Sequence, residues 1–538
     1  MTSTAPETPS LESCPRTSPE GGQYAPLSKA GLARIEACRA DARAWNAWRA
    51  AAGAGTAGEP EHETNAASST PRAVPAPGAA TRNADYVDEY FAIMDGLDGD
   101  IPGRRAARSY MLGSTGIVHH LVVASSYVPR FYDRRTYDTM KYTVETTHRI
   151  LCKVIQHYLD DPDYRTIFSY DERLAELILL PRGYDALLPF ARFDVFLDEN
   201  DLTLGFCEFN GDGSSGMNEN REITNSLRDV PAMREFAQRH QVQECELFEA
   251  WVEEFGRIYG TFVNRVEHPR FAVCDYLHNG VVDEFHLFAK LFEKHGTPCT
   301  VCDVRDLRFD GEVLRDAEGQ RVDAIWRRAV TNDVLEYWNE SQDLIEAVRA
   351  QKVALIGSFA GHIVHDKQIF EALYHPKTRA FLTQEEIDFV ERTVPQTRFL
   401  DEGDVDLADI RASKDAWIVK PTDAYGAGDV FAGCACSQEE WDGIIDRFAN
   451  GAAGAPFLVQ RYITPFRTLI LPPDLDIADQ ADDEVPREGA LYNNLEGLYC
   501  YNGRFQGVFS RMGPYATISK PMAGITCATL WVDCDLEA

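Results

Sequence analysis

The sequence contains no run of about eighteen apolar residues, so we expect no membrane-spanning helix. Its N-terminus has no basic segment followed by an apolar core, and a secretory signal peptide is therefore not indicated. No repeat of fixed period is present, so a repeat architecture is not indicated either. A hydrophobic content of 44% with 26% charged residues is typical of a globular protein. These features predict a cytoplasmic protein that does not engage a membrane.

Basic residues are scarce relative to acidic ones. The chain has 53 lysines and arginines against 85 aspartates and glutamates, which gives a net charge of −32. Because binding to a nucleic-acid backbone needs a basic surface, we expect no nucleic-acid partner. The same charge would suit a cationic substrate such as an amine, although a high net charge also simply keeps a protein soluble.

The thirteen cysteines are scattered and odd in number. Without an export signal, we expect reduced and mostly buried thiols rather than a disulfide framework. The spacings Cys299-x-x-Cys302 and Cys434-x-Cys436 also occur in metal sites, but each pair lies in an apolar strand pattern without an obvious further ligand. The sequence therefore does not predict a zinc site at either pair.

A length of 538 residues suggests two to four domains. Composition and periodicity divide the chain into a largely disordered segment over 1–84, a helical region over 85–185, a strand pair with helices over 186–265, a strand–helix alternation over 266–355 and a mixed remainder over 356–538. The alternation predicts a small α/β domain with a mostly parallel sheet. No GxGxxG follows its first strand, so a dinucleotide site is not indicated.

The stretch from Ala191 to Glu222 predicts two strands, a short acidic turn between them, and a following loop rich in glycine and serine. Side chains alternate along a strand, so Arg192 and Asp194 should share a face, as should Glu208 and Asn210. If the hairpin closes, all four converge on one patch. Carboxylate and amide oxygens are ligands that magnesium accepts, and Arg192 would hold a phosphate or carboxylate. The alternative is that these residues are simply solvated at strand ends.

The loop over 211–216 strengthens the first interpretation. It offers closely spaced backbone N–H groups and the hydroxyls of Ser214 and Ser215. Such a loop suits an anionic group beside a metal ion.

A second candidate site lies near Lys420. Residues 416–421 predict a strand that ends in this lysine, and a loop of small residues over 422–430 precedes the next strand at Phe431. Such a loop between antiparallel strands can fold over a triphosphate, while the lysine supplies a positive charge. It is not a Walker loop, because the order GxxxxGK[ST] is absent; an ordinary glycine hairpin is the alternative.

Three further segments carry groups that could complete a nucleotide site together with this loop. Lys367 lies near the start of a helix that is predicted to begin at His365. The predicted strand over 456–463 could offer backbone donors and acceptors to an adenine edge. Finally, Asn502-Gly503 is a strong hairpin signal that places Arg511 at the end of the second strand.

Taken together, these motifs resemble the ATP-grasp enzymes, and more narrowly the circularly permuted branch that contains glutathionylspermidine synthase and related carboxylate–amine ligases. Asp194 and Glu208-x-Asn210 precede Lys367, Lys420 and the strand of residue 460, which is the permuted order. The similarity covers roughly residues 186–538. It implies an α/β (α+β) ATP-grasp fold with a pre-ATP-grasp α/β domain over 266–355 and a helical N-terminal region.

The resemblance also implies a role for each group of candidate residues. The magnesium ligands would be Asp194, Glu208 and Asn210. The phosphates of ATP would be bound by Lys367 and Lys420 and covered by Tyr425, Gly426, Ala427 and Gly428, and the adenine would lie near Gln460, Arg461 and Tyr462. The transferring phosphoryl group or the substrate carboxylate would be stabilised by Arg192 and Arg511, with Ser214 and Ser215 near that carboxylate.

The activity implied by the resemblance is an ATP- and Mg²⁺-dependent ligation of a small carboxylic acid to an amine through an acyl phosphate, with release of ADP and phosphate. The chain lacks the cysteine-type amidase domain of the bifunctional glutathionylspermidine enzymes, and its loop over 424–428 is not basic. Glutathione and a polyamine are therefore not assigned as substrates. A phosphotransferase and a nucleotide-binding protein without turnover are the alternatives, and the oligomeric state is left open.

Overall fold

In the computed structural model the described residues are 81–118, 121–278, 280–401, 403–423, 429–452, 454–518, 523–534 and 536. The predicted disordered segment falls outside them except for its last four residues. The histidine pair at 119–120 and the predicted phosphate-covering residues Tyr425, Gly426, Ala427 and Gly428 also lie outside the described residues. Within the described part of the chain, no helix is both long and apolar enough to cross a bilayer.

The helices are mostly short, with one long exception in the N-terminal region. In chain order they are α1 (Asn83–Gly96), α2 (Ile101–Leu112), α3 (Arg134–Asp160), α4 (Pro162–Arg165), α5 (Glu172–Ile178), α6 (Met217–Leu227), α7 (Pro231–Arg239), α8 (Glu249–Tyr259), α9 (Val282–Lys294), α10 (Thr331–Glu336), α11 (Gln342–Arg349), α12 (His362–His365), α13 (Gln368–Ala372), α14 (Pro376–Arg379), α15 (Gln384–Thr393), α16 (Leu407–Ala412) and α17 (Gln438–Phe448).

The strands form three main sheets and three small ones. In chain order they are β1 (Ile117–Val118), β2 (Leu121–Val122), β3 (Arg130–Tyr132), β4 (Phe190–Leu197), β5 (Leu204–Asn210), β6 (Val242–Gln243), β7 (Phe271–Asp275), β8 (Cys299–Asp303), β9 (Arg308–Phe309), β10 (Leu314–Arg315), β11 (Ala324–Arg327), β12 (Ala354–Ile356), β13 (Thr397–Phe399), β14 (Trp417–Pro421), β15 (Phe431–Ala432), β16 (Phe457–Arg461), β17 (Arg467–Ile470), β18 (Ala490–Tyr501), β19 (Arg504–Gly513), β20 (Ile525–Cys527) and β21 (Thr529–Val532).

The central sheet is antiparallel and has the order β20-β19-β18-β4-β5, with β17 also paired to β18. The predicted hairpin at Asn502-Gly503 joins β18 to β19, and both turn residues have positive φ (46° and 90°), as a two-residue hairpin requires. Apolar side chains of β4 and β5 pack with the buried face of α3 in one large core cluster. The second of the two predicted strands begins at Leu204, because Leu202 adopts a left-handed φ of 62° in the turn.

The predicted α/β unit is confirmed as a four-stranded parallel sheet of order β12-β11-β7-β8. Aromatic residues of α8 and α9 cover one face, where Phe288 and Phe292 pack against Phe271 and Trp326. Leucine and isoleucine side chains of α11 belong to the core on the other face. Burial on both faces explains the continuous apolar runs of these strands.

The third sheet is antiparallel, with the order β13-β16-β14-β15. One face packs on α17 through Trp417, Val419 and Val459. Since side chains alternate, Lys420 and Gln460 must lie on the opposite face. That face approaches the central sheet, where Ile463 packs against Gly205 of β5.

The N-terminal region contains strands as well as the predicted helices. Its strand β3 pairs in parallel with β21, close to the end of the chain. Arg130 of β3 is buried and forms ion pairs with Glu199 and, at 3.6 Å, with Glu496. The region is therefore fastened to β21 by main-chain pairing and to the central sheet by buried charge.

Candidate functional site

The strand pair β4–β5 brings together four of the predicted site residues. Asp194 lies opposite Glu208 and Arg192 lies opposite Asn210 in the antiparallel register. Residues directly opposite each other project to the same face, so the four side chains share one patch of the central sheet. The register then shifts between Asp194 and Val195. A shift of this kind bends a strand and is common beside functional sites.

Asp194 is bound by two arginines within this patch. Arg192 donates from Nε to Oδ1 at 2.7 Å and from Nη2 to Oδ2 at 3.1 Å, and Arg511 of β19 also donates to Oδ2. Both carboxylate oxygens of this predicted magnesium ligand therefore face guanidinium cations, which already neutralise the charge that would attract a metal ion. What it does in this structure is hold two guanidinium groups side by side.

Gly497 of β18 makes room for the Arg192–Asp194 pair. A Cβ atom at this position would lie 2.7 Å from Cδ of Arg192 and 3.0 Å from Oδ1 of Asp194. We expect Gly497→Ala to lower the free energy of unfolding by about 1–3 kcal/mol, the usual range for overpacking, as measured by urea denaturation. Gly443→Ala is the matched control, because its Cβ would meet nothing within 4 Å inside α17 and should be neutral or stabilising. An equal effect of the two substitutions would contradict this description of the pocket.

The glycine- and serine-rich loop is fixed to the same patch. The hydroxyl of Ser214 donates to the carbonyl oxygen of Asn210 at 2.9 Å. The carbonyl oxygen of Ser215 accepts from Nη1 of Arg192 at 2.7 Å and from the hydroxyl of Tyr499 at 2.9 Å. The loop is thus held against Arg192 and Tyr499, with Ser215 contributing its backbone to this contact.

The two predicted lysines meet at the other end of the patch. Lys367 lies 2.9 Å from Oε1 of Glu208, and Lys420 donates from Nζ to the carbonyl oxygen of Cys207 at 3.2 Å. Burial would raise the pKa of Glu208, but Lys367 and the other nearby cations lower it to about 2. Burial lowers the pKa of Lys420, and repulsion by Lys367 adds to this. Lys367 is therefore paired with a carboxylate, whereas the hydrogen bond of Lys420 to the described residues is to a carbonyl oxygen.

The predicted helix start at His365 was wrong. The chain forms the short α12, and an extended residue, Asp366 (ψ 130°), then separates it from α13. Lys367 precedes α13, and its backbone N–H donates to the carbonyl oxygen of Thr422 at 2.8 Å. This break lets Lys367 reach Glu208 while its backbone is tied to the strand end that carries Lys420.

The three residues predicted to lie near the adenine have different surroundings in the structure. Gln460 shares the Lys420 face, but its Nε2 donates to the hydroxyl of Thr397 at 2.7 Å. The guanidinium of Arg461 lies on the opposite face, 3.9 Å from the ring centroid of Trp417. The backbone N–H groups of Arg461 and Tyr462 donate to carbonyl oxygens of Gln396 and Ala416, respectively, both at 2.9 Å. Those two donors are therefore already used within the protein, because β16 is an interior strand of its sheet.

Arg328, which follows β11, was not among the site residues predicted from the sequence. This arginine is buried under the serine loop, and its Nη2 donates to the carbonyl oxygen of Gly213 at 3.3 Å. Its Nε and Nη1 are buried without a hydrogen-bond partner. Burial raises the pKa of the neighbouring Asp275 to about 7, although Arg328 opposes this rise. The sequence signal was the adjacent Arg327-Arg328 pair at the end of an apolar strand.

Comparisons with known proteins support the fold. No family model and no curated protein sequence matches the chain. Among solved structures, the apo form of a glutathione synthetase-like effector of Globodera pallida matches with a TM-score of 0.50 and 12% identity. The match covers 80% of this chain and 96% of that one. A Methylobacillus flagellatus chain named "Putative gamma-glutamylcysteine synthetase" also matches, with 12% identity over 71% of this chain and 85% of that one, but its TM-score of 0.36 carries no argument. The chain therefore has a mixed α/β fold of the glutathione synthetase-like type.

Proposed function

We propose that this protein is an ATP-dependent ligase of the ATP-grasp type that joins a small carboxylic acid to an amine. The observation that carries the proposal is the pair of buried lysines, Lys367 and Lys420, beside Glu208 at the meeting of two sheets. Lys420 forms no ion pair with the described residues, and a buried cation of this kind is unfavourable unless a ligand supplies the negative charge. A polyphosphate is the class of ligand that would do so. The synthetase-like fold supports the same reading.

The donor groups also fit a magnesium ion bound with the nucleotide. Glu208 offers a carboxylate of low pKa, and Asn210 donates through Nδ2 to the carbonyl oxygen of Arg192 at 3.3 Å, which leaves its Oδ1 for a cation. Asp194 is held by its two arginines, so we assign it to positioning them and assign Glu208 and Asn210 to the metal. The bound nucleotide would supply the phosphoryl group that activates the acid.

The remaining groups of the patch suit an acyl transfer. Arg511 has a buried, unpartnered Nε and a side chain that is 25% exposed, so it faces the place where negative charge would develop. Arg328 has two free N–H groups beside the serine loop, which suits the carboxylate of the acid. The net charge of −32 favours a cationic partner such as an amine.

A matrix of acids and amines, with ADP release as the readout, tests the proposed function. Ligation predicts that ADP release needs both an acid and an amine and that the product mass equals their sum minus water. ADP release that needs only one acceptor and yields a phosphorylated product would identify a phosphotransferase instead. Nucleotide binding without turnover for any pair would identify a binding protein.

Arg328 offers a separate prediction once a substrate acid is known. We expect Arg328→Gln to raise the KM for the acid by about 10- to 100-fold, the loss of one or two charge-assisted hydrogen bonds, with the Kd for ATP unchanged. Steady-state kinetics with varied acid, together with calorimetry for ATP, would check this. An effect of equal size on ATP binding would instead indicate a general structural role for Arg328.

A further inference from the structure

A second cluster of metal-binding side chains lies beside the proposed nucleotide site. His362 of α12, Asp366 and Asp423 each place one ligand atom within 4.8 Å of the others'. His362 and Asp366 are fully or almost fully buried, and Asp423 is half-buried. His362 and Asp366 lie shortly before Lys367 in the sequence, and Asp423 lies three positions after Lys420. The cluster therefore connects the segments that carry the two lysines.

Several polar atoms of this cluster are buried and have no hydrogen-bond partner among the described residues. They are both ring nitrogens of His362, Oδ1 of Asp423 and the hydroxyl of Tyr170, whose ring lies 6.0 Å from that of His362. An unsatisfied buried polar atom costs about 1–3 kcal/mol, and native proteins contain few of them. In a neutral imidazole one ring nitrogen keeps its lone pair and the other carries a proton, so Nε2 of His362 and the oxygens of Asp423 and Tyr170 can each offer a lone pair to a ligand that accepts it. A cation has that property.

The distances fit a metal ion. Nε2 of His362 lies 3.4 Å from Oδ2 of Asp423. Two ligands bound at about 2.0–2.1 Å in a tetrahedral arrangement are separated by about 3.3–3.4 Å. On the other side of the ring, Nδ1 lies 3.7 Å from Oδ2 of Asp212. A carboxylate behind a metal-bound histidine is the usual way in which the ring is oriented.

The third ligand is also held in place. Oδ1 of Asp366 accepts from the backbone N–H of Gln368 at 2.8 Å, and Oδ2 accepts from its side-chain Nε2 at 3.0 Å. Each carboxylate oxygen keeps a further lone pair after accepting one hydrogen bond. Asp366 therefore remains able to bind a cation while its rotamer is fixed.

We propose that His362, Asp366 and Asp423 bind a divalent transition-metal cation, oriented by Asp212. One imidazole and two carboxylates suit Zn²⁺ or Mn²⁺ better than Mg²⁺, which prefers oxygen ligands alone. None of these three residues belongs to the proposed magnesium site, which uses Glu208 and Asn210. Its cation would fasten the strand end that carries Lys420 to the glycine- and serine-rich loop through Asp212.

Zinc titration of the full chain, stripped with chelator and free of nucleotide, tests this proposal. Isothermal calorimetry should show a site that His362→Gln and Asp423→Asn each remove, so that the stoichiometry falls by one. Asp212→Asn should weaken the same site by about 10- to 100-fold, as expected for a carboxylate that orients a metal-bound histidine. His365→Gln is the matched control, since it changes a buried histidine of the same helix that is not among the three ligands, and it should leave the site intact.

Two further variants separate this proposal from its alternatives. Glu208→Gln should keep the zinc site, so failure of the proposed nucleotide function would leave this result unaffected. If His362→Gln does not fold, as judged by circular dichroism, Asp366→Asn replaces it. The same zinc stoichiometry and affinity in folded ligand variants and in the wild type would overturn the proposal. That result would show that His362, Asp366 and Asp423 contact one another without binding the metal ion.

Discussion

Lys420→Met is expected to weaken ATP binding by roughly 30- to 1,000-fold in Kd and, at the same time, to stabilise the ligand-free protein. Lys420 is only 4% exposed, and its one hydrogen bond to the described residues is to a carbonyl oxygen. Its pKa is lowered by burial and by Lys367, so the charged form opposes folding at neutral pH. Methionine keeps most of the volume without the charge. We expect a gain of about 1–2 kcal/mol in the free energy of unfolding, measured by urea denaturation at pH 7.

The lowered pKa of Lys420 also determines how the stability difference between Lys420→Met and the wild type changes with pH. A lysine whose folded pKa lies below its ordinary 10.5 destabilises the protein while it is protonated, and the penalty disappears as the pH rises toward 10.5. The advantage of Lys420→Met should therefore shrink between neutral pH and pH 10.5. The loss of a buried charged contact to phosphate should cost about 2–4 kcal/mol of binding, which is roughly 30- to 1,000-fold in Kd.

Lys367→Met provides the matched comparison, because the same substitution at the neighbouring lysine has a different expected effect on stability. Lys367 pairs with Glu208, whose side chain is 24% exposed. Its removal leaves a mostly buried carboxylate without this partner and should destabilise the ligand-free protein by about 1–2 kcal/mol. Both variants should lose ATP affinity. Stability changes of the same sign in the two variants would contradict the assignment of Lys420 as the unneutralised cation.

Arg130→Met should produce the largest loss of stability. The side chain of Arg130 is 1% exposed and lies between Glu199 and Glu496, which are 6% and 0% exposed. Its removal leaves two buried carboxylates without their cation, and breaking such a network costs about 3–5 kcal/mol. Urea denaturation followed by tryptophan fluorescence would measure the change.

A combined variant tests the reason for that loss. If uncompensated charge is the cause, adding Glu199→Gln and Glu496→Gln to Arg130→Met should restore most of the stability, since removing a whole buried ionic network is often close to neutral. A loss below about 1 kcal/mol for Arg130→Met alone, or no rescue by the two glutamines, would show that the network does not fasten β3 to the central sheet.

The parts of the fold that depend on local chemistry could be predicted from the sequence. Side-chain alternation placed Asp194 with Glu208 because β4 and β5 are joined by a short turn. Asn502-Gly503 specified its hairpin because both residues tolerate positive φ. The parallel sheet followed from alternating strands and helices of regular length.

The parts that depend on distant segments could not be predicted in this way. The pairing of β3 with β21 joins residues about four hundred positions apart, and neither strand carries a signal of its partner. The local sequence pattern indicates that Asp194 is a metal ligand. In the structure its carboxylate binds Arg511, which is 317 residues away in the sequence. The break at Asp366, which directs Lys367 toward Glu208, depends on a contact with Thr422. Local pattern identified the residue types, whereas tertiary contacts decided which of them have free atoms.

The central claim is that the two buried lysines and Glu208 form an ATP site, and calorimetric titration of ATP into the wild-type protein, with and without Mg²⁺, tests it most directly. We predict saturable binding of one ATP that Mg²⁺ tightens, with this dependence on Mg²⁺ lost in Glu208→Gln and the affinity for ATP reduced roughly 30- to 1,000-fold in Lys420→Met. Absence of binding to the folded wild type, or binding that neither substitution changes, would contradict the account.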